Sequence, residues 1–369
     1  MAGIRVIEYL CLVLALFFAA LPGLASDDGI GPGLSSDADV LAVEGRCGYS
    51  CMLIEYGAAD GGRIPALLLV PDSVALCPGN GLPAVLMLHD HGARFDIGKE
   101  KLAKPVAGSV PEHILKSSRQ WTVKNFDGVY FADSLASLGY VVLVPDALYW
   151  GGRSSADAQR WSELAFGHSD GKNSRDELKT LKTRVYEGQR AVYDSLEARG
   201  DVWARHILHD DISALEFLKS LPYIDSGRIG AFGFSMGAHR CWLLSAVRSD
   251  IRCGAAVSWM TLKEAVDTSS ASSLSMLIPE LRSVHDFPDV AAMLYPRPML
   301  FLSGEEDHLF PKNVVSEAYR RMNCIYDFLS LYGNGPGGDT GLRTEFFPGG
   351  HNCGKLVQSI AVDFFRMNL

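Results

Sequence analysis

The sequence predicts an α/β fold in which a mostly parallel central sheet is flanked by helices. Helical patterns such as the stripe of Leu208, Ile212 and Leu215 lie between short apolar runs bounded by turn residues. Runs of this kind are typical of strands buried on both faces, and strands that alternate with helices predict a layered architecture. The predicted strands, which we expect to be buried and parallel, are 66–70, 84–88, 140–144, 228–232, 254–257 and 299–302.

The composition of the 369-residue chain is that of a globular protein. Hydrophobic residues make up 48% of it and charged residues 21%, which suits a protein with a large buried core. The formal net charge is −9 at pH 7, and no basic cluster interrupts this acidic balance. We therefore expect neither nucleic acid nor an anionic membrane surface as a partner.

The first 25 residues have the organisation of a secretory signal peptide. Arg5 precedes an apolar run over 10–21, and small residues follow at Gly23 and Ala25. We expect cleavage near Ala25 and a secreted or periplasmic protein. The alternative is an uncleaved membrane anchor, although the run is shorter than the ~20 apolar residues of a typical span.

Two further segments differ from the rest of the chain. Residues 26–46 are rich in Gly, Ser and Asp and predict a poorly ordered lead-in, which leaves 47–369 as a single domain. Within that domain, residues 151–201 form a polar segment longer than ordinary connections, which we interpret as a helical insertion. Its charged stretch over 176–190 predicts a solvated helix face, and a lid over a substrate site is the alternative.

The cysteine spacing predicts neither a disulfide framework nor a zinc site. The chain has eight cysteines, of which Cys11 lies in the predicted signal peptide, so seven remain and at least one of them is unpaired. Cys47 and Cys51 are close enough in sequence to form a local pair, which the sequence leaves open. We expect no metal or organic cofactor.

The pentapeptide Gly233-Phe234-Ser235-Met236-Gly237 is the strongest functional motif. It follows the predicted strand 228–232 and precedes a helix-compatible run, the context of the nucleophile elbow in the α/β-hydrolase fold. Glycines flank the serine because side chains there would collide with neighbouring backbone. Ser235 is the predicted nucleophile, and an ordinary glycine-rich turn is the alternative.

A serine nucleophile needs a base, and the base needs a carboxylate to orient it. In this fold the acid follows the serine in sequence and lies beyond the end of a later strand. The predicted strand 299–302 runs into Ser303-Gly304-Glu305-Glu306-Asp307. Asp307 is the predicted acid because the turn at Gly304 places it past the strand, and Glu306 is the second candidate.

The base is expected on the last loop, after one more strand. Phe346-Phe347-Pro348-Gly349-Gly350-His351 offers a short strand, a turn and a histidine in this order. His351 is therefore the predicted base. His308 is the competing candidate, but it adjoins the predicted acid in sequence and is poorly placed to face it.

Attack on a carbonyl also needs two backbone amides that bind the developing oxyanion. Met236, directly after the nucleophile, supplies the first, and the loop after strand 84–88 is expected to supply the second near His91. His89, Asp90 and His91 also raise the alternative of a metal site. Adjacent strand residues face opposite sides, however, which disfavours joint ligation.

The chain resembles the dienelactone hydrolase and acetyl xylan esterase-like branch of the α/β-hydrolase superfamily from about Leu53 to Phe365. This resemblance implies that Ser235, Asp307 and His351 form a catalytic triad and that small carboxylic esters or acylated sugars are hydrolysed without a cofactor. Members of the branch with lactone substrates often carry cysteine at the position of Ser235. The similar segments are the elbow, Leu88-His89-Asp90-His91-Gly92, Gly98-Lys99-Glu100-Lys101, residues 139–146, Gly151-Gly152-Arg153, Ser258-Trp259-Met260 and Pro296-Arg297-Pro298.

Residues at strand ends are candidates for the substrate pocket, which forms at the carboxyl edge of open α/β sheets. Tyr149, Trp150, Trp259 and Met260 occupy such positions, and core packing is the alternative for each. Asp146 also ends a strand, but it precedes the elbow and is interpreted as structural.

Together these observations predict a secreted serine esterase that acts through an acyl-enzyme intermediate on a small-molecule or carbohydrate ester. A serine peptidase of the same fold would use the same three residues, but the sequence has no recognisable gating domain. A catalytically silent binding module is the third hypothesis, because fold alone does not fix function.

Overall fold

A nine-stranded sheet organises the part of the chain that the computed structural model describes, namely residues 38–76, 81–167, 175–266, 273–332 and 341–369. The predicted signal peptide and residues 26–37 lie outside these ranges. The strand order is β1-β2-β3-β5-β4-β6-β7-β8-β9. The strands are β1 (Asp39–Arg46), β2 (Tyr49–Gly57), β3 (Arg63–Pro71), β4 (Leu82–Leu88), β5 (Val141–Pro145), β6 (Ile224–Phe234), β7 (Cys253–Val257), β8 (Met299–Gly304) and β9 (Leu342–Phe347).

Five of the eight neighbouring strand pairs are parallel, which confirms the predicted mostly parallel sheet. The three antiparallel pairs lie at one end and join β1 to β2, β2 to β3, and β3 to β5. The expectation that 66–70 forms a parallel strand is therefore wrong. β3 follows β2 through a short turn, and such a connection can join only antiparallel neighbours.

The prediction of a poorly ordered lead-in over 26–46 is wrong for its last eight residues, which form β1. The breaker residues lie before Asp39, whereas the strand itself pairs along its length with β2. Its last residue is anchored to the body of the protein, because the Arg46 guanidinium donates to Asp133 Oδ1 at 2.6 Å. The hydroxyl of Tyr49 donates to the same oxygen at 2.7 Å.

Helices cover both faces of the sheet, and alternate residues of each strand face opposite layers. In β3, for example, Ala66 and Leu68 pack into one buried cluster and Leu67 and Leu69 into the other. The helices are α1 (Glu112–Asn125), α2 (Phe131–Ser137), α3 (Ala156–Phe166), α4 (Arg175–Glu197), α5 (Trp203–Ser220), α6 (Met236–Val247), α7 (Pro279–Val284), α8 (Phe287–Ala292), α9 (Lys312–Tyr332) and α10 (Lys355–Asn368).

The described part of the predicted helical insertion, residues 151–201, contains α3 and α4. The 23-residue α4 has charged residues on its solvent side, as the stretch 176–190 predicted, and a buried stripe on the other. The stripe packs against a third cluster, which includes Met236 of the elbow and Trp150. α4 is therefore fixed beside the carboxyl edge of the sheet by the residues Leu181, Val185, Gln189, Tyr193 and Leu196.

Six cysteines lie within the described ranges, and all six are free thiols. Cys47 and Cys51, the pair left open by the spacing, are among them. Within these ranges no helix is both long and apolar enough to cross a membrane.

Candidate active site

Ser235 stands between the end of β6 and the start of α6 with φ 55° and ψ −125°, a conformation that side-chain-bearing residues rarely adopt. The glycines on either side permit this turn. A Cβ atom at Gly233 would overlap the backbone of Gly237, and one at Gly237 would overlap the carbonyl of Leu88 in β4. The motif therefore has the strand, sharp turn and helix of a nucleophile elbow.

The three residues predicted for nucleophile, base and acid meet in a single hydrogen-bonded chain. His351 Nε2 lies 2.9 Å from Ser235 Oγ, and His351 Nδ1 lies 2.8 Å from Asp307 Oδ2. A neutral imidazole can bond in this way with Nδ1 as the donor and Nε2 as the acceptor. The arrangement has the geometry needed to remove the serine proton.

Asp307 follows β8 and is buried, and the carboxylate oxygen that does not face His351 also accepts hydrogen bonds. Asp307 Oδ1 accepts hydrogen bonds from the amides of Leu309 at 2.9 Å and Phe310 at 3.2 Å. The competing candidates Glu306 and His308 are both exposed, and their side chains take no part in this chain of bonds. The carboxylate of Asp307 is therefore held in one orientation toward His351.

His351 lies in the loop after β9, and this loop is fixed to the loop that carries the acid. The amides of Glu305 and Glu306 donate to the carbonyls of Phe347 at 3.0 Å and Gly349 at 2.9 Å. The ring of Phe310 stacks on the imidazole of His351 with centroids 5.8 Å apart. Sequence reasoning missed this aromatic, although its position three residues after the acid was a usable signal.

The first predicted oxyanion donor, the amide of Met236, is the first amide of α6. Such amides have no carbonyl partner within their own helix, and the helix dipole favours negative charge at this end. The second predicted donor, His91, lies in the loop after β4, beside the elbow. The parallel pairing of Leu88 with Gly233 brings this loop and Ser235 to the same edge of the sheet.

The ring of His91 is buried and makes contacts on both sides. The Ala93 amide donates to His91 Nδ1 at 3.0 Å, and His91 Nε2 lies 3.2 Å from the side-chain amide of Gln189 on α4. Burial, with the charges of Lys101 and Lys182, lowers the pKa of His91 to about 3, so the ring is neutral at pH 7. Sequence reasoning missed Gln189, a polar residue within the buried stripe of α4.

The metal alternative for His89, Asp90 and His91 conflicts with their hydrogen bonds. His89 Nδ1 donates to the Asp90 carbonyl at 2.9 Å, and His89 Nε2 accepts from the Ala147 amide at 3.0 Å. A ligand to a metal would need one of these nitrogens free. In the ranges given above, no group of three or more His, Cys, Asp or Glu residues is placed to hold a metal ion.

All four predicted pocket residues are buried, and the structure favours core packing for two of them. Trp150 and Met260 expose no surface, because each is enclosed by its cluster, and this favours the core-packing alternative for both. Tyr149 is buried too, and its hydroxyl donates to the Val185 carbonyl at 2.9 Å. Trp259 packs beside Phe310, whose ring in turn stacks on the imidazole of His351.

The structural interpretation of Asp146 agrees with its contacts. This buried carboxylate accepts hydrogen bonds from the Lys99 amide at 2.7 Å, the Lys99 ammonium at 2.7 Å and the Gly152 amide at 2.8 Å. It therefore holds the segment after β4 against the start of the insertion.

A groove of about 460 Å³ lies beside the third buried cluster, the one that includes Met236 of the elbow. Tyr193 and Leu274 contribute to its wall and belong to the same buried cluster as Met236. Three basic side chains also line the groove, although the chain as a whole is acidic, and these are Arg190, Lys263 and Arg282.

Comparisons with known proteins agree with this architecture. The chain is 26% identical over 247 residues to the candidate hydrolase YtaP of Bacillus subtilis (strain 168), covering 66% of this chain and 67% of that protein. Among solved structures, a candidate acetyl xylan esterase from Bacteroides fragilis NCTC 9343 matches with a TM-score of 0.60 and 17% identity over 92% of this chain and 75% of that one. A glucuronoyl esterase from Solibacter usitatus matches with a TM-score of 0.61 and 13% identity over 96% and 91%.

A model of the dienelactone hydrolase family matches residues 120–324, more than half of the chain. The matched segment contains the elbow and the loop that carries Asp307. The chain therefore belongs to the dienelactone hydrolase family and is a carboxylic ester hydrolase with the α/β-hydrolase fold.

Proposed function

We propose that this protein is a secreted serine esterase that cleaves small acyl or acetylated-sugar esters, with Ser235 as nucleophile, His351 as base and Asp307 as orienting acid. The observation that carries the proposal is the pair of hydrogen bonds, 2.9 Å and 2.8 Å long, that link the three side chains. The strained conformation of Ser235 supports it, because strain of this kind persists where the surrounding structure imposes it, often at active sites.

In the first half-reaction the Ser235 hydroxyl attacks the ester carbonyl carbon while its proton passes to His351 Nε2. The carbonyl oxygen becomes an oxyanion, which the Met236 amide and an amide of the loop after β4 bind. The bond from carbon to the alcohol oxygen then breaks, and His351 returns its proton to the leaving alcohol. The products of this half are the free alcohol and an ester of Ser235.

In the second half-reaction a water molecule attacks the acyl carbon and gives a proton to His351. The bond from carbon to Ser235 Oγ breaks, the serine recovers its proton from His351, and the carboxylic acid leaves. Asp307 accepts a hydrogen bond from Nδ1 throughout and stabilises the imidazolium. Because the three residues and water account for every bond and proton, the proposal requires no cofactor.

Two observations support a carbohydrate ester as substrate. Two of the solved structures that share this fold are described as a candidate acetyl xylan esterase and a glucuronoyl esterase. The groove beside the third buried cluster presents Tyr193, three basic side chains and Glu197, and aromatic and polar groups of this kind suit a sugar ring.

Secretion is proposed from the sequence of residues 1–25, which lie outside the described ranges. Expression of the full chain, followed by fractionation and N-terminal sequencing, tests it. A mature N-terminus near Ser26 in the extracytoplasmic fraction supports secretion, and an unprocessed chain in the membrane fraction supports the anchor instead.

The first experiment on function measures hydrolysis of p-nitrophenyl esters and acetylated sugars by the mature protein and its Ser235→Ala variant. We expect the variant to lose turnover by about 10⁴-fold or more, since the nucleophile is absent. An organophosphonate should label the wild-type protein at Ser235 and leave the variant unlabelled. Equal turnover in both proteins, or no labelling of Ser235, would contradict the proposed mechanism.

A further inference from the structure

Lys101 is a fully buried lysine behind the loop that follows β4. It ends the short turn Lys99–Lys101, within the Gly98-Lys99-Glu100-Lys101 motif, and its relative exposure is 0%. Its ammonium donates to the Asp90 carbonyl at 2.7 Å and to the His91 carbonyl at 3.0 Å. A buried ammonium is costly unless it is paired, so its bonds to two consecutive carbonyls of this loop require an explanation.

The charge of Lys101 is compensated locally. Asp90 Oδ2 lies 3.5 Å from the ammonium, and Asp90 Oδ1 accepts a hydrogen bond from Trp121 Nε1 at 3.2 Å. The ammonium also lies 5.4 Å from the centre of the Trp121 ring. Lys101, Asp90 and Trp121 thus form a buried unit whose remaining donors point at the loop backbone.

The two carbonyl contacts fix the direction of two amides. A trans peptide group is planar, and its N–H and C=O point in opposite directions. Because the carbonyls of Asp90 and His91 point toward Lys101, the N–H groups of His91 and Gly92 point away from it. Trp150 Nε1 also donates to the His91 carbonyl at 3.0 Å and supports the same orientation.

The amides of the next two residues, Ala93 and Arg94, already donate hydrogen bonds within the loop. The Ala93 amide donates to the His91 ring, and the Arg94 amide donates to the His91 carbonyl at 3.5 Å. His91 and Gly92 therefore carry the amides of this loop that remain available for an oxyanion.

The loop is also tied to the elbow. Arg240 on α6 donates to the His89 carbonyl at 3.4 Å, and it is held by a bidentate contact with Asp211 at 2.6 and 3.0 Å. This contact fixes the start of the loop next to the helix whose first amide belongs to Met236.

We propose that Lys101 is a positioning residue that holds the Asp90 and His91 carbonyls so that the His91 and Gly92 amides face the ester oxygen as second oxyanion donors. The inference rests on the proposed esterase function and deepens it. Trp150 acts on the same carbonyl of His91 and is a second, weaker positioning residue.

The test compares Asp90→Asn with the double variant Asp90→Asn and Lys101→Met. The double variant leaves neither an unpaired carboxylate nor an unpaired ammonium. The Asp90→Asn reference, in which a neutral Lys101 amine can still donate to both carbonyls, shows the effect of losing the carboxylate on its own. We expect kcat to fall about 10²-fold between the two variants with KM changed less than about threefold, because the oxyanion forms only after substrate has bound. The rate of Ser235 phosphonylation should fall in parallel, since a phosphoryl oxygen occupies the same donors.

Trp150→Phe provides a second measurement that does not depend on the double variant folding. It removes the indole donor to His91 and keeps most of the ring packing, and we expect kcat to fall about 3- to 10-fold with KM unchanged. Thermal unfolding of each variant establishes that it is folded.

The outcomes are distinguishable. An unchanged kcat and phosphonylation rate in folded variants would overturn the role of Lys101 while Ser235→Ala still abolished turnover. If the double variant does not fold, an unchanged kcat and phosphonylation rate in Trp150→Phe would overturn the idea that contacts to the His91 carbonyl position the oxyanion donors. A wild-type protein whose Ser235 is not phosphonylated would overturn the proposed esterase mechanism and this inference with it.

Discussion

Both carboxylate oxygens of Asp307 have partners, and this fixes the side chain more firmly than a single bond to histidine would. One oxygen accepts from His351, and the other accepts from two backbone amides of its own loop. An ionised carboxylate is purely an acceptor, so every one of these contacts suits it. The imidazole is thereby held with Nδ1 protonated and Nε2 free to accept the serine proton.

Asp307→Asn is expected to lower kcat about 10³- to 10⁴-fold with little change in KM. The asparagine side chain can turn its NH₂ group toward His351 and favour the wrong tautomer, as the same change does in other serine triads. Steady-state kinetics on a p-nitrophenyl ester measure the effect. Glu306→Gln is the matched control, because this exposed neighbour should keep kcat within about twofold of wild type.

If both substitutions lowered kcat equally, Asp307 would not be the residue that orients His351. Loss of kcat in Glu306→Gln alone would assign that role to the second candidate of the sequence analysis.

Among the elements, α4 connects the helical insertion to the site. Gln189 contacts the ring of His91, Tyr193 lines the groove, and the Lys182 ammonium donates to the Ala93 carbonyl. Three contacts from one helix therefore reach the loop after β4 or the neighbouring groove. Whether α4 stays docked determines the shape of the site.

Val185→Asp should release α4 from the sheet edge. The substitution places an unpaired carboxylate in the buried stripe, which costs about 2 kcal/mol or more. Limited proteolysis with trypsin should then cut within α4 about 30-fold faster, because cleavage follows the population of the opened state. Thr183→Asp introduces the same charge on the exposed side of the helix and should be cleaved at the wild-type rate.

Equal cleavage rates in these two variants would show that docking of α4 does not depend on its buried stripe. The lid alternative would then gain support, because the helix would already be open in the wild-type protein.

How far the sequence predicts these elements depends on how they are buried. β4 and β5 were predicted because strands covered on both faces are continuous apolar runs. β1 was missed because it is an edge strand that alternates exposed and half-buried residues, some of them charged. The contacts of Lys101 and Gln189 with the loop after β4 were also missed, since no local pattern encodes a contact between a side chain and a distant carbonyl or ring.

At the scale of the whole molecule, the parallel strands gather distant residues at one edge. Ser235 follows β6, Asp307 follows β8 and His351 follows β9, and the loop with His91 follows β4. The order of these residues could be predicted from the sequence because the fold requires it. Their distances could not, because they depend on the packing of the whole sheet.

The same packing encloses His89, His91 and His239, which the folded protein keeps neutral at pH 7. Burial lowers the pKa of His239 and of His91 to about 3, and lowers that of His89 well below its ordinary value. Between about pH 6.5 and pH 3 the unfolded chain binds more protons at these sites than the folded protein does. Their contribution to stability is therefore present at neutral pH and is lost as the pH falls through this window.

His239→Gln isolates one of these contributions. The imidazole of His239 packs between Trp242 and Trp259 and is only 3% exposed, so a charge on it would be poorly solvated. The free energy of unfolding of wild type minus that of the variant should fall by about 2 kcal/mol between pH 6.5 and pH 4.5. Urea unfolding at the two pH values measures it, with His308→Gln as the control for loss of an exposed imidazole. A difference that stayed constant would mean that His239 can be protonated in the folded state.

The elbow at Ser235 sets the position of the reacting atom independently of whether that atom is oxygen or sulfur. The Ser235 amide donates to the Val257 carbonyl at 2.8 Å, and the Ser235 carbonyl accepts from the Ala238 amide at 2.7 Å. These main-chain contacts help to position the Cβ of Ser235 and are indifferent to the atom bonded to that carbon. A thiol in place of the hydroxyl would occupy the same position, with the same histidine within reach. One scaffold can in this way present either of two nucleophiles of very different acidity, and a change of chemistry would require a single atom rather than a new architecture.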